Sequence, residues 1–264
     1  MRAVLVTGAG GSVGTALTAR LTARGFTVFP TARGGALDLD VTDETSVQHA
    51  AKKIAGQLNG RGLHALVNNA GVIVQGPVEL VSDAELRRQF EVNVFGAAAV
   101  MRAFLPLLRQ ERGRIVNISA PTARVAVPHL GPISASKAAM ESLSDAARVE
   151  LANWGIPVVL IEPGAMNTPI FEKAAVAATT SLKTVPQDLL DLYGKQLTGF
   201  GDAMKKQRLS PVDAVADTIV HALEARRPRP RYVVGGDARV LLMLAHLPTR
   251  LRDRLLGQMM GIAK

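Results

Sequence analysis

The feature that most restricts what this chain can fold into is a recurrence. Six short, near-continuous apolar runs, at residues 4–6, 27–29, 65–67, 114–118, 158–161 and 232–234, are each separated from the next by a stretch with helical character. A strand that is apolar on both faces must be covered on both, and helical crossovers make successive strands parallel. The expected architecture is α/β, a doubly wound parallel sheet. With 264 residues and 48% hydrophobic content the chain can bury a large core. No linker, low-complexity tract or internal repeat divides it, so one domain over 1–264 is expected.

Composition narrows the function classes. There is no cysteine, which excludes disulfides, thiolate nucleophiles and cysteine-ligated metal. The first apolar run begins at Ala3-Val4, leaving no room for a signal segment, and no apolar run approaches the ~18 residues of a membrane span. A cytoplasmic protein with no integral membrane segment is expected. The net charge of +9 and pI near 10.3 would attract anions. The densest basic group, Arg226, Arg227, Arg229 and Arg231, alternates with prolines and lacks interleaved aromatics, so a solvated basic surface is expected and nucleic acid is not.

Four short motifs carry chemistry. A turn rich in glycine, Thr7-Gly8-Ala9-Gly10-Gly11-Ser12-Val13-Gly14, follows the first strand and opens a helix, where backbone amides and the helix N-terminus can hold a pyrophosphate. Asn68-Asn69-Ala70-Gly71, Asn93, and Pro163-Gly164 with Thr168 complete the set. Together they resemble the short-chain dehydrogenase/reductase family over roughly residues 3–236, which implies a Rossmann fold.

The resemblance assigns cofactor contacts to Gly8, Gly11, Ser12, Val13 and Gly14, with Ser12 where the family has its middle glycine. It places Asp40 and Val41 after a third strand against the adenine, and Asn69, Ala70 and Gly71 after a fourth. Pro163, Gly164 and Thr168, after a sixth, would hold the nicotinamide carboxamide. At the end of the second strand stands Arg33, where an acidic residue would clasp a ribose diol; its guanidinium suits a 2′-phosphate, so NADP(H) is the expected cofactor.

The family's reacting groups are an Asn, a Ser and Tyr-x-x-x-Lys. The resemblance keeps Asn93 and Lys137, with Lys137 also holding the nicotinamide ribose. It puts Ile133 at the Tyr position and, thirteen residues earlier, Ala120 at the Ser position. Neither side chain can donate a proton. Losing a positioned general acid is worth about 10²–10⁴ in rate, so three outcomes stand: hydride transfer with another proton source, a scaffold for non-redox chemistry such as cyclisation, dehydration or isomerisation, or a non-catalytic dinucleotide binder. Water held by Asn93 and Lys137, a substrate hydroxyl, His129, Ser134 and Tyr193 are the candidate sources. Each side chain also has a plain reading: His129 as an exposed loop residue, Ser134 as a cap or outward residue, Tyr193 as packing. Ser119, adjacent to Ala120 on a strand, should face away from the substrate.

The first outcome, on a hydrophobic cyclic or polyketide-like ketone, is the reading adopted. Residues 170–207, polar and broken by Pro186, Gly194, Gly199 and Gly201, match the family's substrate lid, and 237–262 form a helical extension. In the family the helices at 83–109 and 134–153 form oligomer interfaces, which implies a homo-oligomer, although packing on the sheet would explain the same spacing.

Overall fold

The computed structural model describes residues 2–207 and 209–262. Six parallel strands form one sheet in the order β2-β1-β3-β4-β5-β6. They are β1 (Arg2–Val6), β2 (Phe26–Pro30), β3 (Ala65–Asn68), β4 (Arg114–Ile118), β5 (Val158–Pro163) and β6 (Arg231–Val234). The strand order reverses between β1 and β3, and in sheets of this kind ligands bind outside the carboxyl ends of the strands at such a switch point.

Both sheet faces are buried, as the apolar runs require. One is covered by α1 (Ser12–Ala23) and α8 (Val212–Glu224), whose Leu17, Leu21, Ile219 and Leu223 meet Val4, Val6, Val67 and Val116. The other is covered by α2 (Glu44–Leu58), α4 (Ala97–Gln110) and α5 (Gly131–Glu150), with Phe104, Leu108 and Ile54 against Leu5, Leu66 and Ile115. Burying a side chain of this size contributes about 1.5–3 kcal/mol.

The strand expected before Asp40 does not form. Gly34 N–H donates to the Asp38 carboxylate (2.7 Å) and Gly35 N–H to Ala32 O (3.1 Å), so the segment closes into a tight turn with a lone bridge between Ala32 and Asp38. Asn68-Asn69-Ala70-Gly71 therefore leaves the third strand and Pro163-Gly164 the fifth.

A continuous helical run begins with α3 (Asp83–Phe90), passes through a π-helical turn at Glu91–Gly96 and enters α4. It is long and apolar enough to cross a membrane, against the expectation of no such run, but half of its most apolar stretch is buried in the fold. On α5 the apolar spacing misleads. The buried face carries Ile133, Ser136, Met140, Glu141 and Ser144, while Ala138, Leu143 and Val149 point outward. Packing on the sheet does not account for those outward residues.

The segment 170–207 forms α6 (Pro169–Leu182) and α7 (Gln187–Lys205). Pro186 marks the break, but Gly194, Gly199 and Gly201 lie inside an unbroken helix. Gly199 is needed for packing: a Cβ there would fall 2.1 Å from Gly261 O, so α7 is seated against the turn at Gly261. That end comprises α9 (Gly236–Met243) and α10 (Thr249–Met259), and Leu256 joins Val125 and Val127 in a small core of its own.

Candidate active site

The nucleotide end is built from two turns held together by one hydroxyl and one side-chain amide. Buried Thr7 receives the N–H groups of Asn69 (3.0 Å) and Ala70 (3.1 Å) on its hydroxyl. In return the Asn69 amide donates to Thr7 O and Gly8 O, both at 3.0 Å. The turns after β1 and β3 are thereby clasped together. Gly8 has φ +62° and a Cβ on it would lie 2.8 Å from Ala70 Cα; one on Gly14 would lie 2.6 Å from Ala9 Cα and Gly8 O. Gly11 is the N-cap of α1 with no side chain capping it and no acid in the first turn, so the leading amides, those of Ser12 and Val13 among them, are left for an anion.

At the edge of this cradle Arg33 is exposed and makes no ion pair among the described residues. Asp40 accepts the Thr42 N–H (2.9 Å) and hydroxyl (2.7 Å). Burial raises its carboxyl, but those hydrogen bonds and Arg33 together leave it below the ordinary range. Val41 presses on Gly96, where a Cβ would come within 2.8 Å of its Cγ2, fixing the segment around Asp40 to the π turn. On the far side, Pro163-Gly164 is clamped by Asp237, a residue the sequence reading did not single out: its carboxylate accepts Ala165 N–H (2.7 Å) and occupies the space a Gly164 side chain would need. The Thr168 hydroxyl, at the N-cap of α6, is buried without a partner among the described residues. A cradle without side chains, an uncapped helix start, an unpaired guanidinium and an orphaned hydroxyl fit a phosphorylated dinucleotide with a carboxamide at its other end.

The reacting end depends on side chains. Asn93, buried in the π turn, accepts Val72 N–H (2.9 Å) and donates to Val72 O (3.0 Å), and Gln89 one turn earlier accepts Val74 N–H (2.6 Å). Gln89 also donates to Ser136 (3.0 Å), tying α3 to α5. A Cβ on Gly71 would lie 3.4 Å from Asn93 Oδ1 and 4.0 Å from Lys137 Nζ, which brings Gly71, Asn93 and Lys137 into one place. Lys137 Nζ donates to Ile118 O (2.6 Å). Although the residue keeps some open surface, its ammonium is enclosed, and desolvation, partly offset by Glu141, lowers its pKa to about 8.

Ile133 is buried on α5 one turn before Lys137, and Ala120 follows β4 in extended conformation. The nearby hydroxyls are engaged. Ser119 donates to Glu141 (2.6 Å), turned away as the strand alternation requires. Ser134 donates to Leu130 O (2.7 Å), so it neither caps nor faces outward. Tyr193 donates to Glu79 (2.6 Å), which raises its pKa. His129, expected to be exposed, is instead 7% exposed and borders the cavity beneath α6 and α7.

Behind Lys137 lies a charged cluster that sequence reading missed. Arg231, expected on a solvated basic surface, pairs with Glu141, with Glu162 (3.0 Å) and with Asp145 (2.7 Å), and Arg124 reaches Glu162 at 3.2 Å. Glu162 is fully buried, and the partners come from α5, β5, β6 and the loop after β4. Only pairing of this kind makes a buried carboxylate tolerable.

The sheet order, the switch point and the glycine cradle define a doubly wound Rossmann-type protein. A family profile described as short chain dehydrogenase matches residues 33–178. The chain is 34% identical to an NADPH-dependent 3-dehydrocapnine reductase of Ornithobacterium rhinotracheale, over 97% of this chain and 96% of that protein. It is also 34% identical to human retinol dehydrogenase 5, over 96% and 87%. A short chain dehydrogenase from Burkholderia cenocepacia J2315, solved in complex with NADP, superposes with a TM-score of 0.75 at 28% identity over 97% of this chain and all of that one. This chain belongs to the short-chain dehydrogenase family.

Proposed function

We propose that the chain is an NADP(H)-dependent reductase of a hydrophobic carbonyl compound in which the family's tyrosine and serine are replaced by Ile133 and Ala120. The observation that carries this is the enclosed ammonium of Lys137, gathered with Asn93 and Gly71 at the mouth of the cradle, beside two side chains that hold no proton. An NADPH-dependent reductase among its relatives and an NADP complex among its structural neighbours support the cofactor. In the cradle, the α1 amides and Gly8 to Gly14 would hold the pyrophosphate and Arg33 the 2′-phosphate, while Asn69, Ala70 and Gly71 would line the ribose side and Thr168 would receive the carboxamide.

When bound, NADPH supplies hydride to a carbonyl carbon. The oxygen that results needs a proton, and with Ser119, Ser134 and Tyr193 engaged elsewhere, we assign it to water ordered by the Lys137 ammonium. Burial holds that ammonium near neutral titration, where a proton donor works best. Ile133 and Ala120 keep the rest of the cleft apolar, and the cavity beyond, bordered by Val74, Ala174 and Phe200, suits a hydrophobic substituent. We also propose a homo-oligomer joined through the outward face of α5, where Leu143 (42% exposed) and Val149 (73%) stand unburied.

The test is turnover of a panel of cyclic ketones with NADPH deuterated at C4, read by mass spectrometry. Deuterium on the product carbinol carbon supports the reading. The same apolar surround favours a scaffold for isomerisation or dehydration, and turnover without loss of NADPH would select that instead.

A further inference from the structure

The segment that leaves β5, from Pro163 to Thr168, has little to hold it from within: Thr168 N–H closes on Met166 O (2.9 Å). Its other anchors lie much later in the chain. Gly164 N–H donates to Val234 O (2.9 Å), Ser210 N–H to Ala165 O (2.7 Å) and Asn167 N–H to Ser210 O (3.3 Å). Those are main-chain bonds, open to almost any sequence. The Ala165 N–H differs, because its acceptor at 2.7 Å is the side chain of Asp237, and a bond to a carboxylate is among the stronger kinds.

Two glycines make room for that carboxylate. A Cβ on Gly164 would overlap either of its oxygens, and one on Gly235 would lie 2.5 Å from Oδ1. Gly235 is the N-cap of α9 with φ +106°, a conformation that residues with side chains rarely adopt, and it turns the chain at the end of β6 so that Asp237 comes back over the exit of β5. Helix α9 is anchored independently, through Leu241, which packs against Val125, Val127 and Leu256. Asp237 is therefore a fixed post rather than a follower of the segment it holds. The arrangement is not the most stable one available. Oδ2 takes the Ala165 amide, but Oδ1 is buried with no hydrogen-bond partner among the described residues. A half-paired buried carboxylate costs free energy, and costs of this kind concentrate where geometry serves function.

We propose that Asp237 is a positioning residue for the nicotinamide half of NADP(H): by holding the Ala165 amide it fixes the level at which the segment from Pro163 to Thr168 meets the ring. The inference rests on the reading of Pro163, Gly164 and Thr168 as the nicotinamide contacts. On that reading the adenosine half belongs to Gly8 to Gly14 and Arg33, on other elements, so releasing the clamp should weaken one half of the ligand and spare the other.

The experiment titrates the whole chain, as wild type, Asp237→Ala and Asp237→Asn, with NADPH and with adenosine 2′,5′-bisphosphate, which carries the adenine and the 2′-phosphate but no nicotinamide. Asp237→Ala is expected to bind NADPH about 10-fold more weakly, the size of one hydrogen bond to a charged group, and the bisphosphate within about 2-fold of wild type. Asp237→Asn keeps an acceptor oxygen for the Ala165 amide and should return NADPH affinity to within about 3-fold. Fluorescence of bound NADPH reports on the ring itself: its enhancement over the free nucleotide should fall in Asp237→Ala and recover in Asp237→Asn. Equal losses for the two ligands would mean general loosening of the fold, and no loss for either would mean that the amide needs no clamp; each outcome overturns the proposal. Should Asp237→Ala fail to fold, Asp237→Glu, which keeps the charge and displaces the carboxylate by one methylene, takes its place with the same expectation of weaker NADPH and unchanged bisphosphate. A wild type that binds neither ligand sinks the reading of the cleft and the proposal with it, whereas a wild type that binds both, matched by Asp237→Ala, sinks the proposal alone.

Discussion

At the nucleotide end of the cleft, the side chains of Thr7 and Asn69 bond the main chain of the facing turn, and at Gly8 and Gly14 one added carbon would meet backbone within 3 Å. At the reacting end, α5 and the loop after β4 present Ile133 and Ala120, beside one enclosed ammonium and a lattice of amide and hydroxyl bonds through Gln89, Asn93 and Ser136. A main-chain cradle changes only if the fold changes, whereas a side-chain site can be rewritten one residue at a time. The comparison teaches that, if the proposed function holds, the fold keeps its dinucleotide cradle while the side chains beside it are free to change.

The comparison breaks most severely at Gly14. Gly14→Ala places a carbon 2.6 Å from Ala9 Cα and Gly8 O, with backbone on both sides and nothing flexible to yield. Overpacking of this order should cost about 3 kcal/mol in urea unfolding and abolish measurable NADPH binding. An unchanged midpoint would show that the turn relaxes freely. The converse experiment restores donors at the other end. Ile133→Tyr combined with Ala120→Ser should raise reduction of simple cyclic ketones by about 10²-fold or more, because a positioned general acid is worth at least that much. No gain would mean that Lys137 and Asn93 are not arranged around a carbonyl at all.

How much of this was legible in the sequence follows from the range of the interactions. The strands were, because each is a short contiguous apolar segment, and the run 114–118 coincides with β4. So was the cradle, whose glycines sit next to one another in the chain. The absent strand before Asp40 was not, because the Asp38 side chain closes a turn over the same apolar residues. Helix α5 reads wrongly for a different reason: its inner face is polar, with Glu141 and Ser144 bound to Arg231 and Asn117, partners 90 and 27 residues away. His129 was named but misplaced, since nothing local tells that Phe200, a helix on the other side of the cleft, will cover it.

The nucleotide end can be sharpened at its rim. Arg33 makes no ion pair among the described residues, so replacing it tests the ligand without disturbing the fold. Arg33→Asp should weaken NADPH and improve NADH, moving the ratio of their affinities by about 10-fold or more, as expected for losing one charge-assisted contact and adding one repulsion. Calorimetric titration with both nucleotides reads it directly, and an unchanged ratio would move the 2′-phosphate away from Arg33.

The smallest effect separates the two ends by pH. Burial lowers the Lys137 pKa to about 8, whereas in the unfolded chain it returns to about 10.4. Below pH 8 both states carry the proton, and the folded protein bears the full cost of enclosing an ammonium. Between about 8 and 10.4 the unfolded state binds more protons than the folded one, so this residue makes stability rise with pH across that window. Lys137→Met cannot titrate and should lose that rise while gaining stability relative to wild type near pH 7. Urea midpoints of the cofactor-free proteins at pH 7, 8.5 and 10 measure both. The nucleotide cradle holds no group of this kind, so Arg33→Asp should leave the slope between pH 8 and 10 as it is in wild type. If Lys137→Met keeps the wild-type slope, the ammonium is better solvated than its enclosure implies, and the proton assigned to water beside it would need another origin.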